Sequence, residues 1–424
     1  MSTVLATAPR SGLQAVADDL ERQIAHWLAA ATTFLDAEEF ASEQAWRAVE
    51  GQVGLPLRRH LSVIVRELLD MGRAALALAR SAQRDPSELP AAGHAIQQFR
   101  RRFSQVEATL DFFGDAVNSR TSPPLRAALQ SLDMLAMQSM DPVLARAGLP
   151  SIPVLTYLDK GMGASIIRSG IRLWAPGSIN PVAAIKIVRH NLYRPTSLFH
   201  ESGHQVAHVT GWVPSLDRSL GTALSSDREL QDMWRPWASE IAADVFAFLH
   251  TGYASITALY DVVGDARTIL RWPVGDPHPV GYLRTLLGCA FCRLSFGAGP
   301  WDDLETAMRT SFPTDRAEPT VRRLLERSAR TLPAIADACL TSPVPALAGR
   351  PMTSVIDPSR VAPSALAQLE RSAGPGLWVS SHWRRTEGIR IVALAGLRES
   401  ERPADATSWI ERARTWMTAG TAAA

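Results

Sequence analysis

Apolar residues recur at three- and four-residue steps through the first third of the chain. Leu13, Val16, Leu20, Ile24 and Leu28 form one such stripe. Leu61, Ile64, Val65, Leu68 and Leu69 form a second, and Phe99, Phe103, Val106 and Leu110 a third. This period predicts amphipathic helices with one buried face each. Pro86, Pro90, Pro123 and Pro124 fall between the stripes, where helices should stop. The expectation is an N-terminal helical region over 1–145. His94 and Arg100–Arg102 read there as a solvated helix face.

The pattern changes after Ile152. Val154–Leu158 and Ser165–Trp174 look like strands joined across Lys160–Gly163 as a small hairpin or meander. The two glycines there lack the following Lys-Ser/Thr of a phosphate loop. An amphipathic segment runs to Val188, and Thr196 or Ser197 is the expected N-cap of the next helix. Further on, Trp237–Phe248 is a strongly apolar helix, and Asp302–Cys339 is helical again. The stretch 341–363, rich in Pro, Ser and Ala, reads as a linker. A small α/β region over 364–424 would follow, with Leu377–Val379 and Gly388–Leu394 as strands. The fold class expected is α+β, mostly helical, with a catalytic domain at 146–340.

At 424 residues and 46% apolar the chain can bury a large core and fill two or three domains. Its net charge of +2 provides no field for nucleic acid or an anionic membrane. No apolar run approaches the roughly 18 residues of a bilayer span, and Met1–Gln14 lacks the pattern of a secretory signal. Cys289, Cys292 and Cys339 do not make a disulfide framework, and Cys289-x-x-Cys292 lies in an apolar helical segment where cysteine packs as a small hydrophobe. The location expected is the cytoplasm.

The chemistry is concentrated at His200-Glu201-Ser202-Gly203-His204. Residues four apart on a helix share a face, so the two imidazoles can hold one metal ion, zinc being the expected one. Glu201 on the flank of that face can take a proton from zinc-bound water, whose pKa falls to roughly 7. His208 continues the stripe, but its Cα lies roughly 12 Å along the axis from that of His200, too far to share the ion. The metzincin pattern would need Gly at Ala207 and His at Thr210, and fails at both. A third ligand is available in Glu240, on an apolar helix where an unpaired carboxylate is expensive. Asp244, one turn later, could accept the outward N–H of a ligating imidazole.

This combination, H-E-x-x-H at His200–His204 and E-x-x-x-D at Glu240–Asp244, resembles the gluzincin metallopeptidases, the thermolysin-like group. The resemblance implies zinc on His200, His204 and Glu240, Glu201 as general base, Asp244 orienting a ligand histidine, and a peptide or protein substrate. It covers roughly Ile152 to Leu332. Asp276-Pro277-His278-Pro279 and the helix it opens look like the His-Pro…Arg segment of some gluzincins. His278 or Tyr282 could donate to an oxyanion, with Tyr193 a weaker candidate, and Arg284 could hold the loop or a substrate carboxylate. An edge strand at Ile171–Trp174 could border the cleft and pair with an extended peptide. The alternatives are a helical scaffold that keeps such a fold without turnover, and a metal-free helical interaction module.

Overall fold

The computed structural model of the chain describes residues 12–161, 164–167, 180, 182–272 and 276–419. Two compact units divide between Thr121 and Ser122.

The first unit is helical, as its apolar stripes require. Helices α1 (Gly12–Thr33), α2 (Glu43–Val53), α3 (Leu57–Ala82) and α4 (Leu89–Asn118) build it. Helix α3 packs on both α1 and α4, burying Ile24, Ala75, Ala79 and Ile96 in one cluster. Ser42 caps α2 through the Ala45 N–H, and Gly54 ends it in the left-handed conformation that glycine tolerates.

The second unit opens with α5 (Pro123–Arg146), which the sequence reading had grouped with the N-terminal helices. Its apolar face lies on the sheet and on α6 (Thr196–Val209). Asp133 fixes that contact by accepting from both the amide and the hydroxyl of Thr156, each at 2.7 Å.

The sheet has three strands in the order β1-β3-β2: β1 is Val154–Leu158, β2 Ser165–Ile167 and β3 Ala183–Ile187. The expected hairpin is therefore corrected. Strands β1 and β2 do not pair with each other; both pair with β3, β1 in parallel and β2 antiparallel. The segment expected to be amphipathic up to Val188 is this central strand, with Ala183, Ala184, Ile185 and Ile187 buried. Burial on both faces erases the alternation that would have marked it as a strand. The proposed edge at Ile171–Trp174 lies outside the described residues.

The remaining helices are α7 (Trp212–Ala223), α8 (Arg228–Trp234), α9 (Ala238–Thr251), α10 (Tyr253–Val263), α11 (Gly281–Phe296), α12 (Pro300–Ser311) and α13 (Pro319–Thr341). After them come α14 (Pro363–Ala373), the single turn α15 (Gly376–Val379), α16 (Ser381–Glu401) and α17 (Ala406–Thr418). The stretch 341–363, expected as a linker, is packed: Val344, Leu347, Met352 and Val361 are buried between short 3-10 turns. The C-terminal region contains no strand among its described residues. Gly388–Leu394 lies within α16, because a short apolar run fits a buried helix as well as a strand. The protein is thus mostly helical with one small sheet. Among the described residues no helix is long and apolar enough to cross a membrane.

The pair that positions the site is α6 on α9. Gly203 sits at their crossing, where an added Cβ would lie 2.9 Å from the Ala243 Cα and 2.9 Å from the Phe246 Cβ. Only a residue without a side chain permits the helices to approach so closely.

At the far end of α9, His250 is buried between Phe246 and Phe199, with ring centroids 4.6 and 5.9 Å away. Its Nε2–H donates to the Ser139 carbonyl at 3.1 Å. Burial holds this imidazole down to about 4, the Ser139 bond opposing only in part. The unfolded chain therefore takes up a proton near pH 6.5 that the folded chain refuses until about 4. Stability should fall across that window by roughly 3 kcal/mol on account of His250. Thermal unfolding followed from pH 7.5 to 4.5 should show a shallower decline in His250→Gln than in the parent.

Candidate metal centre

Helix α6 starts at Thr196 and closes at Val209, just before Gly211, as its sequence implied. Neither expected cap is used. The helix begins one residue after Pro195, the Thr196 hydroxyl is buried without a partner among the described residues, and Ser197 instead receives Asn191 Nδ2 at 3.1 Å. His200 and His204 stand one turn apart with ring centroids 4.8 Å from each other and planes at 84°.

Across the helix pair, Glu240 reaches both. Its Oε2 lies 3.4 Å from His200 Nε2, and its Oε1 lies 3.3 Å from His204 Nε2. The donor atoms of these three residues all fall within 4.8 Å of one another, a group that could hold a metal ion. His208, one turn beyond His204, is exposed and stands outside the group.

A ring of partners fixes the cluster. His200 Nδ1 is 2.9 Å from Asp244 Oδ1, so Asp244 is placed as expected. Asp244 is itself clamped by Arg284, with Nε at 2.5 Å and Nη2 at 2.7 Å from its two oxygens. The same Nη2 is 3.4 Å from Glu240 Oε2. Ser239 Oγ stands 3.4 Å from His204 Nδ1. Among the described residues Arg284 is thus engaged by the cluster itself rather than by the loop, and is not free for a substrate carboxylate.

The electrostatics follow from packing these charges out of water. Burial by itself would depress the His200 imidazole, but Asp244 and Glu240 overcome it and lift the group to about 9. Burial pushes Glu240 up, and the two histidines pull it well below the usual carboxylate range. Asp244 is raised by burial but held low on balance by Arg284 and His200. Glu201, buried on the same helix, is pushed up by desolvation despite the nearby rings. Glu240 and the neighbouring Glu201 therefore differ: one is held as an anion, the other is eased toward proton uptake.

The two expected oxyanion donors separate. His278 faces the cluster: its Nε2 is 3.6 Å from Glu240 Oε2, and it lines a cavity together with His200 and Glu201. Asp276, which the sequence reading did not single out, accepts from the His278 amide at 2.9 Å and lies 2.7 Å from its Nδ1. An Asp two residues before a His in a proline-rich turn was the available signal. Tyr282 is corrected. It is buried away from the cavity, with its hydroxyl 3.4 Å from Arg309 Nη1. Residues two apart on a helix point about 200° apart, so with Arg284 turned to the cluster Tyr282 must face the opposite side. Tyr193 is not part of this cavity wall either; it lines a separate pocket with Trp378 and Ile391. Helices α12 and α13 contribute no residue to the cavity wall.

Cys289 and Cys292 are buried in α11, and burial pushes the first thiol up to about 12 and the second well above its ordinary value. That is packing, not redox chemistry.

No protein-family model, curated protein or solved structure matches this chain.

Proposed function

We propose that the protein is a zinc-dependent hydrolase of the gluzincin type, a metallopeptidase acting on peptide or protein substrates. The observation that carries this reading is the convergence of His200, His204 and Glu240 from two helices. Zinc bonds of about 2.0–2.2 Å put tetrahedral neighbours about 3.3–3.6 Å apart, and the three donors here all lie within 4.8 Å of one another, with one Glu240 oxygen facing each ring. The Glu240 oxygens stand 3.4 and 3.3 Å from the two ring nitrogens. Two imidazoles and a carboxylate also leave one position open, the mark of a catalytic rather than a structural zinc.

When bound, zinc would polarise the scissile carbonyl and acidify the attacking water. Glu201 removes the proton from that water and returns it to the departing amine nitrogen. A carboxyl raised by burial suits both halves of that task, because it lies nearer the working pH. Asp244, held by Arg284, is placed to accept from His200 Nδ1–H, which leaves Nε2 as the nitrogen that would hold the metal. Asp276 on Nδ1 of His278 fixes the ring so that the opposite nitrogen, Nε2, faces the cavity where the oxyanion would develop.

The direct assay is peptide hydrolysis by purified protein against a mixed peptide library. Activity should vanish on chelation and return on adding one equivalent of zinc. Hydrolysis indifferent to chelation, or none with zinc supplied, would contradict the reading.

A further inference from the structure

Beside the metal ligands lies a cavity of about 390 Å3 with two unlike walls. One wall carries the polar groups His200, Glu201, Asp244, Asp276, His278 and Arg284, with Asp244 engaged by Arg284 and Asp276 by His278. The other is aliphatic: Ile256, Leu259, Val262 and Val263 of α10, with Ile269 and Val280 beside them. Arg271 also lines this cavity. Its backbone is tied down, its N–H donating to the Thr268 carbonyl at 2.8 Å. The Ile269 carbonyl accepts from the Tyr282 N–H at 3.1 Å, which ties the same turn to α11.

The two cavity arginines differ in what they meet. Arg284 is engaged by Asp244. Arg271 is exposed and has no acidic partner among the described residues. A built cavity next to a hydrolytic centre thus offers an aliphatic surface and one unmatched cation. A ligand satisfying both has an apolar body and an anionic end. An acidic side chain would satisfy the cation but leave Ile256 and Leu259 uncovered. The terminal residue of a peptide, apolar and bearing a free carboxylate, satisfies both at once.

We infer that the cavity receives the carboxyl-terminal residue of a peptide, with its apolar side chain against α10 and its carboxylate on Arg271. This rests on the hydrolase reading and makes the enzyme a carboxypeptidase. Water adds across the last peptide bond and the C–N bond breaks. The shortened peptide leaves with a new carboxylate and the terminal residue leaves as a free amino acid, its nitrogen protonated by way of Glu201.

The test uses zinc-loaded full-length protein and N-blocked peptides ending in phenylalanine, as free acid or as amide. The free acid should be preferred in kcat/KM by about ten- to a hundred-fold, the range of one charge-assisted contact. Arg271→Gln should bring that ratio close to one, and Arg271→Lys should keep part of it. Equal cleavage of acid and amide by the parent, or an unchanged ratio in Arg271→Gln, overturns the inference. So does an amidated peptide ending in glutamate that is cleaved as well as the free-acid phenylalanine peptide. Calorimetric binding of the same peptides to zinc-loaded Glu201→Gln needs no turnover, and the acid should bind about ten-fold or more tightly than the amide. A binding preference for the acid without hydrolysis in the parent would sink the hydrolase and leave the carboxylate site standing. Binding without that preference would sink the site.

Discussion

Glu201→Gln should retain bound zinc and lose peptide hydrolysis by roughly a hundred- to ten-thousand-fold, the span of a general base. The amide keeps the size and burial of the side chain but cannot take a proton from water. Glu201 is not among the three clustered donors, so the variant should hold metal as the parent does. The measurement is a pair of numbers on one preparation: turnover of a library-selected peptide and moles of zinc per mole of chain. Full turnover in the variant would leave Glu201 without the role assigned to it. Lost turnover together with lost zinc would mean that Glu201 holds metal rather than a proton.

Glu240→Ala should have the complementary effect, losing metal and activity together. An outer partner of a ligand is worth about ten- to a hundred-fold in metal affinity, and a direct ligand should exceed that. Glu240 touches both imidazoles, so its removal leaves two nitrogens where three donors converged. Competition against a zinc chelator of known affinity reads the change, and circular dichroism checks that α9 still folds. An affinity within a few-fold of the parent would place the third ligand elsewhere.

The helix that bears the site was legible because its chemistry is local. His200, Glu201 and His204 lie within five consecutive residues, and helical geometry alone orients them. Glu240 and Asp244 were legible for a different reason: acids on a helix that is otherwise Ile, Ala, Val and Phe demand partners. What escaped depends on contacts between distant residues. Strand β3 is defined by pairing with β1 some thirty positions earlier, and nothing in Ala183–Ile187 separates it from a buried helix turn. Gly388–Leu394 failed in the opposite direction for the same reason. Arg284 was noticed, but its bidentate hold on Asp244 depends on how α11 lies against α9. That same rotation turned Tyr282 away from the cavity. Gly203 was in plain view between the two histidines, yet its importance emerges only with Ala243 packed against it.

X-ray absorption at the zinc edge, on protein purified without chelators and quantified for metal, tests the central claim most directly. The account predicts one zinc per chain with two imidazole nitrogens and oxygen ligands at about 2.0–2.2 Å, and no sulfur. Protein free of zinc after exposure to excess metal, or a zinc shell containing sulfur, would contradict it.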